Sequence, residues 1–349
     1  MPLNKTYFSS LKHFFKIQFS VILLLFITFT GISQETSTFD SGGFIETMRD
    51  KLNVKLEIDN DVEEFQFDNG RLKFDVIPNT NLRTTVSVNH DFLTLKVGYS
   101  PKFLAGDNFK EKGETSIFKI KMDLFIKNWM QTFEFSFVKG YYLDNIVDPD
   151  DLFLPIDGEY FTLPNLKTSI ASGITRYKLN SNFSLKAITN QFEIQRKSAG
   201  SFVPTLGYGY FKFSDKSSPQ NISSFGINLN TGYFYTFVIN RTWFANLGIS
   251  PGIGVEFNKL KTTLEDQTTI SKNTDLVFNI NTNMGLGYNS KTFFGGLVLK
   301  GIATERNEDS LINFNNVRGI INLFIGYRFK SPKFIDKSVN WLDEKNPFK

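Results

Sequence analysis

Cysteine is absent from the 349 residues. That excludes a disulfide framework, a thiolate metal site and a lipidated cysteine. Histidine is nearly absent too: His13 and His90 are the only two, too few for a histidine-based metal centre. Beyond residue 33 no run of 18 apolar residues occurs, so no transmembrane helix is expected there. Charge of one sign is also missing. Lys5, Lys12 and Lys16 fall in the first 33 residues, and without them 36 basic residues stand against 35 acidic ones. The formal charge of +4 therefore gives no reason to expect nucleic acid as a partner.

Those three lysines belong to an export pattern. They precede an apolar run over 17–30, and Gly31 and Ser33 place small residues at −3 and −1 of a cut before Gln34. The run is shorter than the ~20 residues a membrane-spanning helix needs. We expect a signal peptide over 1–33, cleaved near Ser33-Gln34.

What the chain does have is phenylalanine, 39 of them, yet its mean hydropathy is slightly negative. Alternation reconciles the two. In 223–239 Phe225, Ile227, Leu229, Tyr233, Tyr235 and Phe237 alternate with Ser224, Gly226, Asn228, Asn230 and Gly232. The same period of two runs through 92–99, 243–257, 276–288 and 317–329, which marks strands with one apolar and one polar face.

A soluble sandwich would bury the apolar face, whereas a membrane barrel turns it to lipid. Three features favour the barrel. The alternating runs exceed the usual 5–6 residues of soluble strands. Aromatics gather near strand ends (Trp129, Trp243, Phe293, Tyr327, Phe329), and the polar face is rich in Asn and Gly. Short turns at 90–91, 127–128, 180–181, 240–241 and 289–290 also alternate with polar loops at 100–114, 140–166, 214–222, 258–273 and 304–312, as in outer-membrane barrels.

The expected fold is all-β, an antiparallel transmembrane β-barrel of about twelve strands (range 10–14), with short periplasmic turns and long external loops. Its strands run near 65–77, 80–89, 91–99, 115–127, 129–139, 167–178, 182–213, 223–239, 242–257, 275–288, 291–303 and 313–329. Residues 34–64 read as a periplasmic N-terminal segment, 65–330 as the barrel and 331–349 as a periplasmic tail. Loop parity holds only if 182–213 is a single passage.

Chemistry is sparse. His90 lies in a turn and lacks the His-x-Ser pattern of outer-membrane lipid hydrolases. Asp148, Asp150, Asp151, Glu265 and Asp266 sit in polar loops without metal-ligand spacing. No catalytic, cofactor-binding or metal residue is expected. Charges in phase with the polar faces pair across the lumen, among them Lys119, Lys121, Asp123 and Glu134, and Arg83, Lys96, Arg318 and Arg328 are candidate lumen contacts. The polar interruption at 195–201 reads as a bulge at Gly200. It would turn Arg196, Lys197 and Ser198 to the lumen or rim to meet an anionic group.

The same interruption carries a resemblance. Phe183-Ser184-Leu185-Lys186-Ala187 and the stretch from Gln191 to Phe202, with Lys139-Gly140-Tyr141-Tyr142-Leu143, Gly232-Tyr233-Phe234-Tyr235-Thr236-Phe237 and Pro78-Asn79, resemble a bacterial family catalogued as a domain of unknown function, number 4421. The resemblance covers nearly the whole mature chain. It implies an outer-membrane β-barrel and brings no activity, substrate or catalytic residue. The expected role is binding or transport of a small or lipid-like ligand, with outer-membrane lipid and the barrel assembly machinery as partners. Alternatives are a structural barrel that recruits envelope proteins and a lipid-modifying barrel enzyme.

Overall fold

The computed structural model describes residues 43–332, apart from 49, 62–63, 69–72, 81, 102–108, 148–159, 216–217, 265–266 and 308–315. The expected signal peptide over 1–33, the loop carboxylates Asp148, Asp150, Asp151, Glu265 and Asp266, and nearly all of the C-terminal tail lie outside these residues.

Twelve strands close into one antiparallel ring. In spatial order they are β2 (Lys51–Asp59), β5 (Arg83–His90), β6 (Leu93–Tyr99), β7 (Ser116–Ile126), β8 (Trp129–Val147), β9 (Thr162–Tyr177), β11 (Ala199–Ser214), β12 (Gln220–Ile239), β13 (Trp243–Leu264), β14 (Gln267–Asn289), β15 (Phe293–Arg306) and β16 (Asn316–Lys330), which pairs back to β2. Among the described residues, the elements that are not part of the ring are β1 (Ile45–Thr47) with β10 (Glu193–Gln195), the hairpin β3 (Phe65–Asp68) and β4 (Lys73–Ile77), and two short helices, α1 (Phe109–Lys112) and α2 (Leu185–Thr189).

The side-chain alternation fixes which face is which. Leu323 and Ile325 on β16, Phe133 and Phe135 on β8, and Ile249 and Ile253 on β13 are exposed on the outside. A continuous apolar band of this kind cannot face water; it is the lipid face of a transmembrane barrel. At the short-turn mouth, the periplasmic one in such barrels, outward aromatics pair: Trp129 with Tyr177, Trp243 with Tyr288, Tyr327 with Phe329. These rings form the expected girdle. β12, β13 and β14 have 20, 22 and 23 residues, about twice the 9–11 that cross a bilayer, so their outer halves stand beyond the lipid. The ladder continues to Leu264 opposite Gln267. Much of the loop expected at 258–273 is therefore strand.

Two further strand assignments change. The first barrel strand is Lys51–Asp59, inside the segment expected to be periplasmic, while 65–77 forms the β3–β4 hairpin instead. The hairpin pairs with the outer end of β8 and drives Phe65 against Phe211 and Phe213 of β11. It thereby covers part of the external mouth. The stretch 182–213 also divides. Only β11 crosses the membrane, so loop parity is kept, but 182–198 adds no barrel strand and holds only α2 and the short β10. No bulge occurs at Gly200, since the β11–β12 register is continuous from Ala199 opposite Thr236. Glycine is needed there because Tyr233 and Tyr235 cover it, and a Cβ would meet the Tyr233 hydroxyl at 2.5 Å.

A bulge does occur at Gly140. Its φ is +90°, and the β8–β9 register shifts between Lys139 and Tyr141. A glycine with positive φ supplies the extra residue without strain. The shift buries Tyr141, whose hydroxyl lies 2.6 Å from Thr168 Oγ1.

Candidate functional site

The site begins with the segment between β9 and β11. Residues 178–198 leave β9 and turn back into the periplasmic mouth as a plug. Ser184 caps α2 by accepting from the Ala187 N–H at 2.9 Å. Phe183, Leu185 and Ala199 bury against Met130 of β8 and Val203 of β11. β10 then pairs with β1, which holds 45–47 to the plug. Alternating polar residues would leave a wet lumen here. The inward apolar residues at this level instead give the plug a floor to pack on.

Polar wall residues pin the plug. Lys55 Nζ donates to Gln191 Oε1 at 3.1 Å and to the Thr189 carbonyl at 3.3 Å. Asn53 Nδ2 donates to the Gln191 carbonyl at 3.2 Å, and Asn190 Nδ2 to Thr94 Oγ1 at 2.7 Å. Arg328 donates to the carbonyls of Gln191 and Ser290, and to Asn289 Oδ1 at 2.6 Å. Its guanidinium lies 4.5 Å from the Phe294 ring centre. Each of these ties satisfies a polar group that would be costly to leave unpaired in a closed space.

Above the plug lies a cavity of about 550 Å³, within the 300–1,000 Å³ usual for small-molecule sites. Eight Lys and Arg line it against five Asp and Glu. The acids are engaged. Lys119 Nζ is 2.6 Å from Glu134 Oε1, and Lys96 Nζ is 3.6 Å from Asp123 Oδ2, whose other oxygen accepts from Thr132 at 2.7 Å. Asp61 gathers Arg83 at 3.0 Å, Arg318 at 3.4 Å and Lys119 at 3.5 Å. Arg306 Nε meets Glu256 Oε2 at 2.8 Å. Lys300 and Arg176 face the same cavity with no ion pair or hydrogen bond among the described residues.

The candidate residues therefore separate into three groups. Arg83, Lys96 and Arg318 are in the lumen, brought together with Lys119, Lys121 and Asp61. Arg328 is under the plug and positions it. Arg196, Lys197 and Ser198 lie at the periplasmic rim and make local contacts. Arg196 Nε donates to Glu46 Oε2 at 2.6 Å, Lys197 Nζ sits 5.4 Å over the Phe44 ring, and Ser198 Oγ accepts from the Val238 N–H at 2.9 Å. Sequence reasoning missed Lys55, Glu57, Lys300 and Arg176. Lys55 and Glu57 alternate with Leu56 and Ile58, a signal that was present in 52–58.

His90 has a partner after all: its Nε2 is 2.9 Å from Ser331 Oγ. Both are buried at the periplasmic mouth, and neither lines the cavity. Among the described residues no cluster of three or more His, Cys, Asp or Glu could hold a metal ion, and no helix is long and apolar enough to cross a membrane.

Comparison with solved structures returns outer-membrane barrels. An outer membrane channel from Pseudomonas putida F1 shares 12% identity with a TM-score of 0.35, covering 84% of this chain and 100% of that one. OmpT, an outer membrane protein of Vibrio cholerae, gives 6% and 0.33 with the same coverage. The outer membrane protease OmpT from Escherichia coli gives 9% and 0.33, covering 84% and 98%. Likenesses this distant carry no functional argument. No curated protein matches the chain. A family model matches residues 38–329, and the chain belongs to that family, described as a domain of unknown function (DUF4421).

Proposed function

We propose that residues 1–33 direct export, that the barrel assembly machinery inserts the mature chain, and that the protein serves in the outer membrane as a plugged binding barrel. It holds a small solute in its lumen and is no constitutive pore. The pinned plug beneath a polar cavity carries this reading. A twelve-stranded barrel is already narrower than the 16–18-stranded porins that leave an aqueous channel, and 178–198 fill what space remains at one mouth. Passage through the barrel would require the plug to move.

Planar-bilayer recordings test this. The folded protein should stay closed. A variant with 183–195 replaced by a short Gly-Ser turn should conduct, with a preference for anions set by the excess of lumen cations. Steady conductance from the intact protein would refute the plugged reading.

One observation supports recruitment of an envelope partner as a second role. Leu264 and Ile270 are exposed on the part of the β13–β14 hairpin that extends past the bilayer. Crosslinking from Ile270 in cells, with the closed bilayer behaviour kept, would favour it.

A further inference from the structure

We infer that the lumen takes a polyhydroxylated anion, a saccharide unit bearing a phosphate or carboxylate. The inference deepens the binding-barrel reading and rests on it.

The ring order divides the lumen wall by chemistry. Strands six places apart in a twelve-strand ring face one another, so β6 faces β13 and β7 faces β14. One wall is charged, with Lys96, Lys119 and Lys121 standing among Asp123 and Glu134. Lys96 on β6 stands directly opposite Lys121 on β7 in the ladder, an arrangement of like charges that disfavours the strand pair. The facing wall is built of amides and hydroxyls: Asn279, Asn281 and Asn283 on β14, Ser250 on β13, and Asn228 and Asn230 on β12. An amide both donates and accepts, as a sugar hydroxyl does. Asn228 Oδ1 is buried with no hydrogen-bond partner, and Asn281 and Asn279 bond each other at 3.1 Å.

Two cations lining the cavity are left without an ion pair among the described residues. Lys300 on β15 is opposite Asn283 and Ile320, and Arg176 on β9 is opposite Met130 and Thr205. Neither has an acidic cross-strand neighbour. Lys300 lies in the combined field of Lys121, Asp61, Lys96 and Glu57 without an ion pair to either acid, so an anion placed beside it would gain charge-assisted hydrogen bonds. Phe234 and Phe324 near the plug offer an apolar floor to the C–H face of a ring. An acyl chain would strand the amide wall without partners, and inorganic phosphate would leave it unused.

Isothermal titration of the full folded chain in detergent tests this with glucose 6-phosphate, glucuronate, glucose, inorganic phosphate and hexyl phosphate. Glucose 6-phosphate or glucuronate should bind at least about tenfold more tightly than the other three, and which of the two binds identifies phosphate or carboxylate as the anionic group. Lys300→Gln should weaken that ligand about tenfold or more, since a charge-assisted bond is lost. It should move the urea unfolding midpoint little, because Glu57 keeps its ion pair with Lys55 and Asp61 keeps those with Arg83, Lys119 and Arg318. Asn281→Ala should weaken the saccharide anion and leave inorganic phosphate unaffected. Equal binding of hexyl phosphate, no binding of either saccharide anion, or an unaltered affinity in Lys300→Gln would each overturn the inference. Bilayer conductance reads the plug and not the ligand, so the two proposals fail separately.

Discussion

Lys55 Nζ lies 2.9 Å from Glu57 Oε1 on its own strand, and the same ammonium reaches the plug through Gln191. One buried cation thus couples the wall to the plug and neutralises an acid. Lys55→Met should remove both interactions and leave Glu57 a buried charge without its nearest partner. Breaking one side of a buried pair costs ~3–5 kcal/mol. Lys96 and Lys300 also act on Glu57, so we expect the lower end of that range. Urea unfolding of the refolded barrel measures it. Adding Glu57→Gln should recover most of the loss, and a double variant no more stable than the single would show that the orphaned acid is not its source.

Gly140 carries a different kind of constraint. At φ +90° any L side chain is strained, and a Cβ would stand 2.0 Å from the Glu114 carbonyl oxygen. Gly140→Ala should therefore destabilise the outer end of β8 by about 1–3 kcal/mol. The loss should be local, with the Tyr141–Thr168 bond released while the ladder from Trp129 to Lys139 stays protected. Hydrogen exchange along β8 separates local from global loss.

A pH effect belongs to the periplasmic rim. Glu46 gathers Arg196 and Lys291 Nζ, the latter at 3.0 Å. Partial burial alone would raise its pKa, but the two cations outweigh it and hold the carboxyl below its usual value of 4.5. A depressed folded-state pKa contributes stability above the unfolded value and loses it as pH falls through the folded one. The β1–β10 clasp should thus loosen below about pH 4.5. The effect should stay under about 1 kcal/mol, because Glu46 keeps a third of its side chain exposed. Limited proteolysis at Lys197, followed from pH 6 to about pH 3.5 with an acid-active protease, should show the change in the native chain and none in Glu46→Gln.

Period two made the barrel readable in the chain, and it worked best where one face was wholly apolar and the other carried Asn and Gly, as in β12–β14. It failed at β2 because the inward face there is Asn53, Lys55, Glu57 and Asp59. That charge lowers the mean hydropathy of the segment until it resembles a solvated tail, although Leu52, Val54, Leu56 and Ile58 keep the alternation. The plug was hidden for the opposite reason. Phe183, Leu185, Phe192 and Ile194 are as apolar as strand residues, and only their burial inside the ring distinguishes them. Arg196 and Lys197 read as lumen or rim charges because their sequence neighbours on both sides alternate as one strand would. Lys300 and Arg176 had no local signature, since what sets them apart is the lack of an acid directly opposite them on the neighbouring strands.

Adjacent residues on β16 give the sharpest test of inside and outside. Leu323 is 57% exposed on the outer face, opposite Leu297 and Ile58 and several residues above the Tyr327–Phe329 girdle, which puts it near the middle of the bilayer. Asn322 points into the cavity opposite Asp59. Leu323→Arg should cost about 2–4 kcal/mol when the barrel folds into bilayers, the usual cost for a cation at the midplane. Asn322→Arg should cost markedly less, because its charge would enter a wet lumen beside a carboxylate. Urea titrations in lipid vesicles measure both. Equal costs would mean that the apolar face at β16 does not meet lipid. The difference should shrink for the same pair in detergent micelles, where a charged side chain reaches water over a shorter path.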